Sequence, residues 1–265
     1  MKSPRHSVGS TQLPVSGIRL SLRPLTGRED LLLRESRLPA MALGLRLVTR
    51  LARTADGAPV EAAGLCVADF EALLLAIRQA VLGDTIRAEA VCHAPACRAR
   101  ADVCFRISDY LASHPARAPR GIESLADGWF RLAGRDVRFR LPTGADLLAI
   151  EPDPAPYRAL VRLCIHPPDA PKDLRRRAEN AMAALAPALS RQLAAECPEC
   201  RAPLNLYFEA PSFVLRELSA RAAGIYQDVH LLALHYGWPE EKILALSQSR
   251  RMEYAELLRS QGAAA

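Results

Sequence analysis

The chain has 265 residues, a net charge of +6 and half of its residues in the apolar classes, enough for a folded body with a real core. No apolar run approaches the 18 or more residues that cross a bilayer. The opening MKSPRHSVGSTQLPVS has no apolar h-region, which excludes a secretory signal and predicts a disordered arm over residues 1–16 of a cytoplasmic product.

The positive charge is mostly arginine, because lysine occurs only as Lys2, Lys172 and Lys242. The basic residues are interleaved with 29 acids, and short runs form only at Arg175, Arg176 and Arg177 and at Arg250 and Arg251. With aromatics at 5%, this distribution reads as solvated helix faces rather than a nucleic-acid surface, which concentrates cations and interleaves stacking rings.

In chain order, the first patterned segment is LSLRPLTGRE, residues 20–29. Alternation predicts a strand ending in Arg23, then a proline turn, then a helix capped by Thr26 with Glu29 at the reciprocal position. A long apolar helix follows, from a cap at Asp69 through Phe70, Leu73, Leu74, Ile77, Val81 and Leu82 to Gly83. CHAPACRARADVCF, residues 92–105, then reads as a cysteine knuckle leading into a strand. Residues 112–135 read as a linker, richest in Pro and Arg at 114–120.

The same order then recurs. VRFRLPTGAD, residues 137–146, aligns without a gap on residues 20–29 and repeats the cap as Thr143 with Asp146. A helix is expected over 174–193, interrupted by Pro187. AECPECRAPLNLYF, residues 195–208, repeats the knuckle: aligning Cys97 with Cys200 puts Arg98 on Arg201, Ala99 on Ala202 and Phe105 on Phe208. The expectation is an α+β, helix-rich fold of two pseudo-repeats over 17–111 and 136–215, each with strand, turn, helices, Cys knuckle and strand. A C-terminal helical segment, 216–265, completes it, with one helix from Ser212 to a stop at Gly237, a short one over 240–246 and another from about Ser249 to Leu258.

Seven cysteines, odd in number and unevenly spaced, fit reduced thiols better than a disulfide framework. A tetrahedral zinc site needs four ligands, and each copy supplies two. Cys92, Cys97, Cys197 and Cys200 are therefore expected to form one structural zinc ribbon joining the copies, with His93 as an alternative to Cys92. Cys66, Cys104 and Cys164 sit in apolar surroundings and read as core residues. No nucleophile elbow, phosphate loop or dinucleotide fingerprint is present in the sequence, and its acids and histidines nominate no acid–base pair, so an enzyme is not expected. Trp238, Arg250, Arg251 and Tyr254 are candidates either for packing anchors or for a partner-binding surface.

LPVSGIRLSLRPLTGRED, residues 13–30, resembles the opening of baseplate proteins of T-even-type contractile phages and related phage-tail-like injection systems. The knuckles CHAPAC and CPEC and the ending HLLALHYGWPEEKILAL, residues 230–246, are similar to the same family. The resemblance implies a non-enzymatic baseplate protein or hub assembly chaperone that binds hub, wedge or spike subunits, in the cytoplasm or incorporated into a phage-like particle. The competing expectation is a zinc-ribbon nucleic-acid-binding regulator.

Overall fold

The computed structural model describes residues 9–262, and the fold is helix-rich α+β. The elements of the first copy are β1 (Gly9–Gln12), β2 (Arg19–Leu22), α1 (Gly27–Glu35), α2 (Ala40–Leu51), β3 (Ala52–Arg53), α3 (Val67–Leu82), β4 (Thr85–Val91), β5 (Arg100–Arg106) and α4 (Ile107–Ala112). After β6 (Ile122–Ser124), the second copy runs β7 (Trp129–Leu132), β8 (Arg138–Arg140), α5 (Gly144–Ile150), α6 (Pro156–Cys164), β9 (Ile165–His166), α7 (Lys172–Leu185), β10 (Arg191–Glu196), β11 (Pro203–Phe208) and α8 (Ala210–Arg221). Each element of the first copy has its counterpart in the second, in the same order. Three helices close the chain: α9 (Ile225–Tyr236), α10 (Glu240–Ala245) and α11 (Gln248–Gly262). No helix among the described residues is long and apolar enough to cross a membrane.

The compact units do not follow the copies. One unit comprises residues 9–11, 19–60 and 212–262, the other 12–18 and 61–211, so the first copy is divided after its third strand.

In the first unit, β2 lies between β1 and β3. Arg23, at the end of β2, forks onto the Glu29 carboxylate with contacts of 3.0 and 2.8 Å, while the Thr26 N–H and hydroxyl donate to the same carboxylate at 3.0 and 2.8 Å. Gly27 is required at the following position: a Cβ there would come within 2.8 Å of Leu244 Cδ2 and 2.9 Å of its Cα, so its absence lets α10 approach α1. The turn at 25–27 is crossed by the segment preceding α11, with Thr26 bridged to Ser247 and the Gln248 N–H donating to the Leu25 carbonyl at 2.9 Å. Arg251, one turn further on, is fully buried and donates to Asp30 of α1 and, at 3.2 Å, to Asp228 of α9. Gln248 also donates to Asp30, at 2.8 Å.

The second unit repeats this junction with other residues. Arg140 forks onto Asp146, and Thr143 caps α5 by donating to Asp146 and accepting its N–H at 3.3 Å. The segment preceding α3 crosses the turn at 142–144: Cys66 bridges Thr143, the Val67 N–H donates to the Pro142 carbonyl at 2.9 Å and the Gly144 N–H to the Leu65 carbonyl at 3.1 Å. A four-stranded antiparallel sheet, β6-β7-β8-β9, packs Leu132, Val137, Phe139 and Ile165 against Ala170 and against Ala178 and Ala181 of α7. The small alanines let the helix lie close to the sheet.

Several expectations are corrected. Residues 1–8 of the expected arm lie outside the described residues, but 9–12 form a strand and the next turn is tied by Val15 and Ser16 N–H groups donating to the Asp69 carboxylate at 2.8 and 2.9 Å. Asp69 is thus not the cap of α3, whose N-cap is Cys66. The expected linker over 112–135 contains β6 and β7, because Ile122, Phe130 and Leu132 cover Phe139 and its neighbours. The helix expected over 174–193 ends at Leu185, before Pro187, which cannot supply a helical N–H. The helix expected from Ser212 to Tyr236 is broken by a short 3-10 turn, Ala222–Gly224. Cys104 is exposed rather than buried, since it lies on the outer face of β5, whereas Cys164 is buried.

Removing Arg251 would leave the buried Asp30 carboxylate without its cation and Asp228 with Arg259 alone. Arg251→Ala is therefore expected to cost about 3–5 kcal/mol in urea unfolding, against less than about 0.5 kcal/mol for Arg250→Ala on the exposed face. Burial alone would raise Glu29 and Asp146, but the arginine forks and the threonine donors outweigh it and hold both carboxyls below 4.5 and 3.8 respectively. Their contribution is complete above those values and disappears as pH falls through the lowered ones. Urea midpoints measured against pH are expected to decline on this acid limb, and Glu29→Gln or Asp146→Asn to flatten it.

Candidate metal centre

Two antiparallel hairpins carry the cysteine pairs. In the first, β4 and β5 pair from Thr85 with Arg106 to Val91 with Arg100; in the second, β10 and β11 pair from Arg191 with Phe208 to Glu196 with Pro203. The ladder continues into each knuckle by an equivalent bond, Cys92 N–H to Ala99 carbonyl and Cys197 N–H to Ala202 carbonyl, both 2.9 Å. Each knuckle then turns through a left-handed residue directly after its second cysteine, Arg98 at φ 54° and Arg201 at φ 58°. A side chain in this region is disfavoured for every residue but glycine, so the same uncommon backbone occurs at the two aligned positions. The longer CHAPAC knuckle inserts His93 and Ala94 ahead of the tight turn, in which the Ala94 carbonyl accepts from Cys97 and Arg98.

The four sulfurs converge. Cys92 Sγ lies 3.6 Å from Cys200 Sγ, Cys97 Sγ lies 3.8 Å from Cys197 Sγ, and all four are within 4.8 Å of one another. Both short separations run between the knuckles, so neither pair forms a site alone. Tetrahedral coordination at about 2.3 Å from metal to sulfur requires sulfurs about 3.8 Å apart, which these distances approach. His93 is exposed and outside the cluster, whereas Cys92 is buried within it, so the first knuckle offers Cys92 rather than His93. Ala101, Leu204, Ala99 and Ala202 pack around the thiols. Backbone N–H groups face the sulfurs, those of Cys200 and Glu199 bringing the Cys197 thiol down to about 7. Cys97 moves the other way: the Ala99 N–H lowers it, but the Cys200 thiol, burial and Cys197 raise it to about 12. A bound cation would favour ionisation of all four. The four cysteines could hold a metal ion.

The hairpins are positioned by residues that periodicity does not reveal. Glu71, buried on α3, accepts from the Leu189 and Ser190 N–H groups at 3.0 and 3.2 Å and from the Ser190 hydroxyl at 2.5 Å. The Tyr110 hydroxyl of α4 donates to the Leu189 carbonyl at 2.5 Å, and its ring packs with Phe105 and edge-on with Phe208. First-copy side chains thus fix the entry to β10. The visible signal is one acid, Glu71, inside the apolar run FEALLLAI.

The candidate partner residues divide. The Trp238 and Tyr254 rings meet edge to face at 5.2 Å and rest half-buried on Leu232, Ile243 and Leu258, while the exposed Tyr236 stacks on Trp238 at 4.9 Å. Arg250 is exposed, its guanidinium 5.7 Å from the Tyr254 ring centroid. Arg251 does not belong to this surface: it is turned inward by its ion pairs with Asp30 and Asp228.

Arg98→Gly and Arg201→Gly remove the left-handed penalty and are expected to preserve the knuckle and raise the unfolding free energy slightly, whereas Arg201→Val lowers it by about 1–2 kcal/mol, as read from urea unfolding. Compared with known proteins, the chain matches no family model, no curated protein and no solved structure.

Proposed function

We propose that this chain is a non-enzymatic baseplate protein or baseplate assembly chaperone of a contractile phage tail or phage-tail-like injection system, acting by protein–protein binding, with zinc held by Cys92, Cys97, Cys197 and Cys200. The observation that carries the zinc assignment is the convergence of four thiols from two knuckles at separations close to those of a tetrahedral thiolate site. Four sulfur donors leave no open position for substrate, and an all-thiolate set favours zinc over the hard cations, so the bound ion would be structural. It would supply cross-linking of two hairpins distant in sequence, and with it folding free energy. The baseplate assignment rests on the order of three sequence features: residues 13–30, the two knuckles and residues 230–246. Half-buried Trp238 and Tyr254 beside exposed Tyr236 and Arg250 support a docking role, because aromatic and arginine side chains anchored on a rigid base are what protein interfaces favour.

The purified protein is expected to carry about one zinc per chain by elemental analysis. Cys197→Ser and Glu71→Ala are expected to weaken retention against a chelator, the first by removing a donor and the second by loosening the hairpin that presents it. Unchanged zinc retention in Cys197→Ser would sink the assignment. Tagged protein recovered from cells producing its native gene cluster is expected to bring down hub, wedge or spike subunits after nuclease treatment, and Arg250→Glu, on the exposed face, to weaken that recovery without a change in thermal midpoint. Recovery of nucleic acid, with protein partners lost on digestion, would instead support the zinc-ribbon regulator.

A further inference from the structure

Helices α6 and α7 form a groove of about 490 Å³ in the second unit. Its lining includes Arg158 and Arg162 from α6 and Lys172, Arg175 and Arg176 from α7. Spacings of three and four residues bring the cations of each helix onto one face. Of the acids at this groove, Glu179 accepts from the Tyr157 hydroxyl at 2.7 Å, and Asp153 meets Arg162 at 3.4 Å. Among the described residues, Arg158, Lys172, Arg175 and Arg176 make no ion pair and no side-chain hydrogen bond. Five cations against one carboxylate, Glu179, leave the lining of the groove net positive, and an anionic occupant relieves the repulsion among them.

The lining also narrows the chemistry of the occupant. Val161 and Pro168 contribute an apolar stretch to the groove, which suits a side chain rather than a phosphate. Tyr157 is the groove's one aromatic ring, whereas single-stranded nucleic acid is held by successive stacking platforms. From Lys172 to Glu179 the helix advances about 10 Å, the length of about three extended peptide residues. Arginine forks pair with carboxylates in two-point contacts. We infer that this groove binds an extended acidic segment of a partner protein, with carboxylates on the two basic walls flanking an apolar side chain over Val161 and Pro168. The inference rests on the adaptor reading for the occupant being a protein, but not on the zinc site or on the baseplate assignment.

The test uses the full zinc-loaded chain and a fluorescein-labelled peptide of alternating Glu and Leu, followed by anisotropy, with an oligothymidylate of matched charge as competitor. The peptide is expected to bind at low salt, to weaken as ionic strength rises, and to lose at least about tenfold in affinity in Arg175→Glu with Arg176→Glu. Arg158→Gln, an exposed change on the opposite wall, is expected to weaken it as well, and Arg177→Glu, outside the groove lining, to leave it unchanged. Equal binding by the groove variants, no binding at low salt, or displacement by a tighter-binding oligothymidylate would each overturn the proposal, the last making the groove a nucleic-acid surface. Peptide binding without recovery of baseplate subunits from cells retains the groove and removes the baseplate assignment; recovered subunits without peptide binding do the reverse.

Discussion

Four thiols brought within 4.8 Å of one another constrain everything around them in the second unit. Each knuckle offers two, and the short contacts run across from one hairpin to the other, so the arrangement exists only when both hairpins arrive together. The buried Glu71 and Tyr110 meet this requirement by holding the chain just before β10. Strand pairing, the left-handed turns at Arg98 and Arg201, and the N–H groups aimed at Cys197 then set the sulfurs. Thiols this close would repel one another as thiolates, a repulsion that a bound cation would offset.

The second recurring device is the arginine fork on a capping carboxylate. Arg23 with Glu29 and Arg140 with Asp146 link the end of a strand to the first turn of the helix that follows. This secures the turn geometrically and leaves its outer edge free to be crossed by another segment, that before α11 in one unit and that before α3 in the other. The two junctions then diverge in chemistry. Counting from the crossing segments, Arg251 occupies the position of Phe70, and counting from the caps, Asp30 occupies that of Leu147. Both Arg251 and Phe70 are fully buried. An ion pair in place of apolar packing adds little net stability but is costly to leave half-made, so it enforces the correct partner for α1.

Much of this was legible. The duplication, the two caps and the cysteine pairs are local patterns, set by residue type and by spacings of two to six positions, and local hydrogen bonding reproduces them wherever the sequence recurs. The longer spacing of CHAPAC left Cys92 and His93 as rival donors because spacing alone cannot say which side chain turns inward. Arg251 was read with Arg250 because adjacent residues of one type look alike in sequence, although on a helix they face directions about 100° apart.

What the sequence by itself determined was the set of parts: α+β segments in a repeated order, helix starts at Thr26 and Thr143, and two pairs of thiols. Tertiary packing settles that the first copy is divided between two units, that Arg251 is buried while Arg250 is exposed, that Glu71 holds the chain just before β10 by a bond to Leu189, 118 positions away, and that four unpaired cations face one groove. The reason is physical. Capping, alternation and knuckle turns are satisfied within a few residues, whereas burial of a charge and convergence of side chains depend on which distant segments pack together, and no short-range pattern encodes that choice.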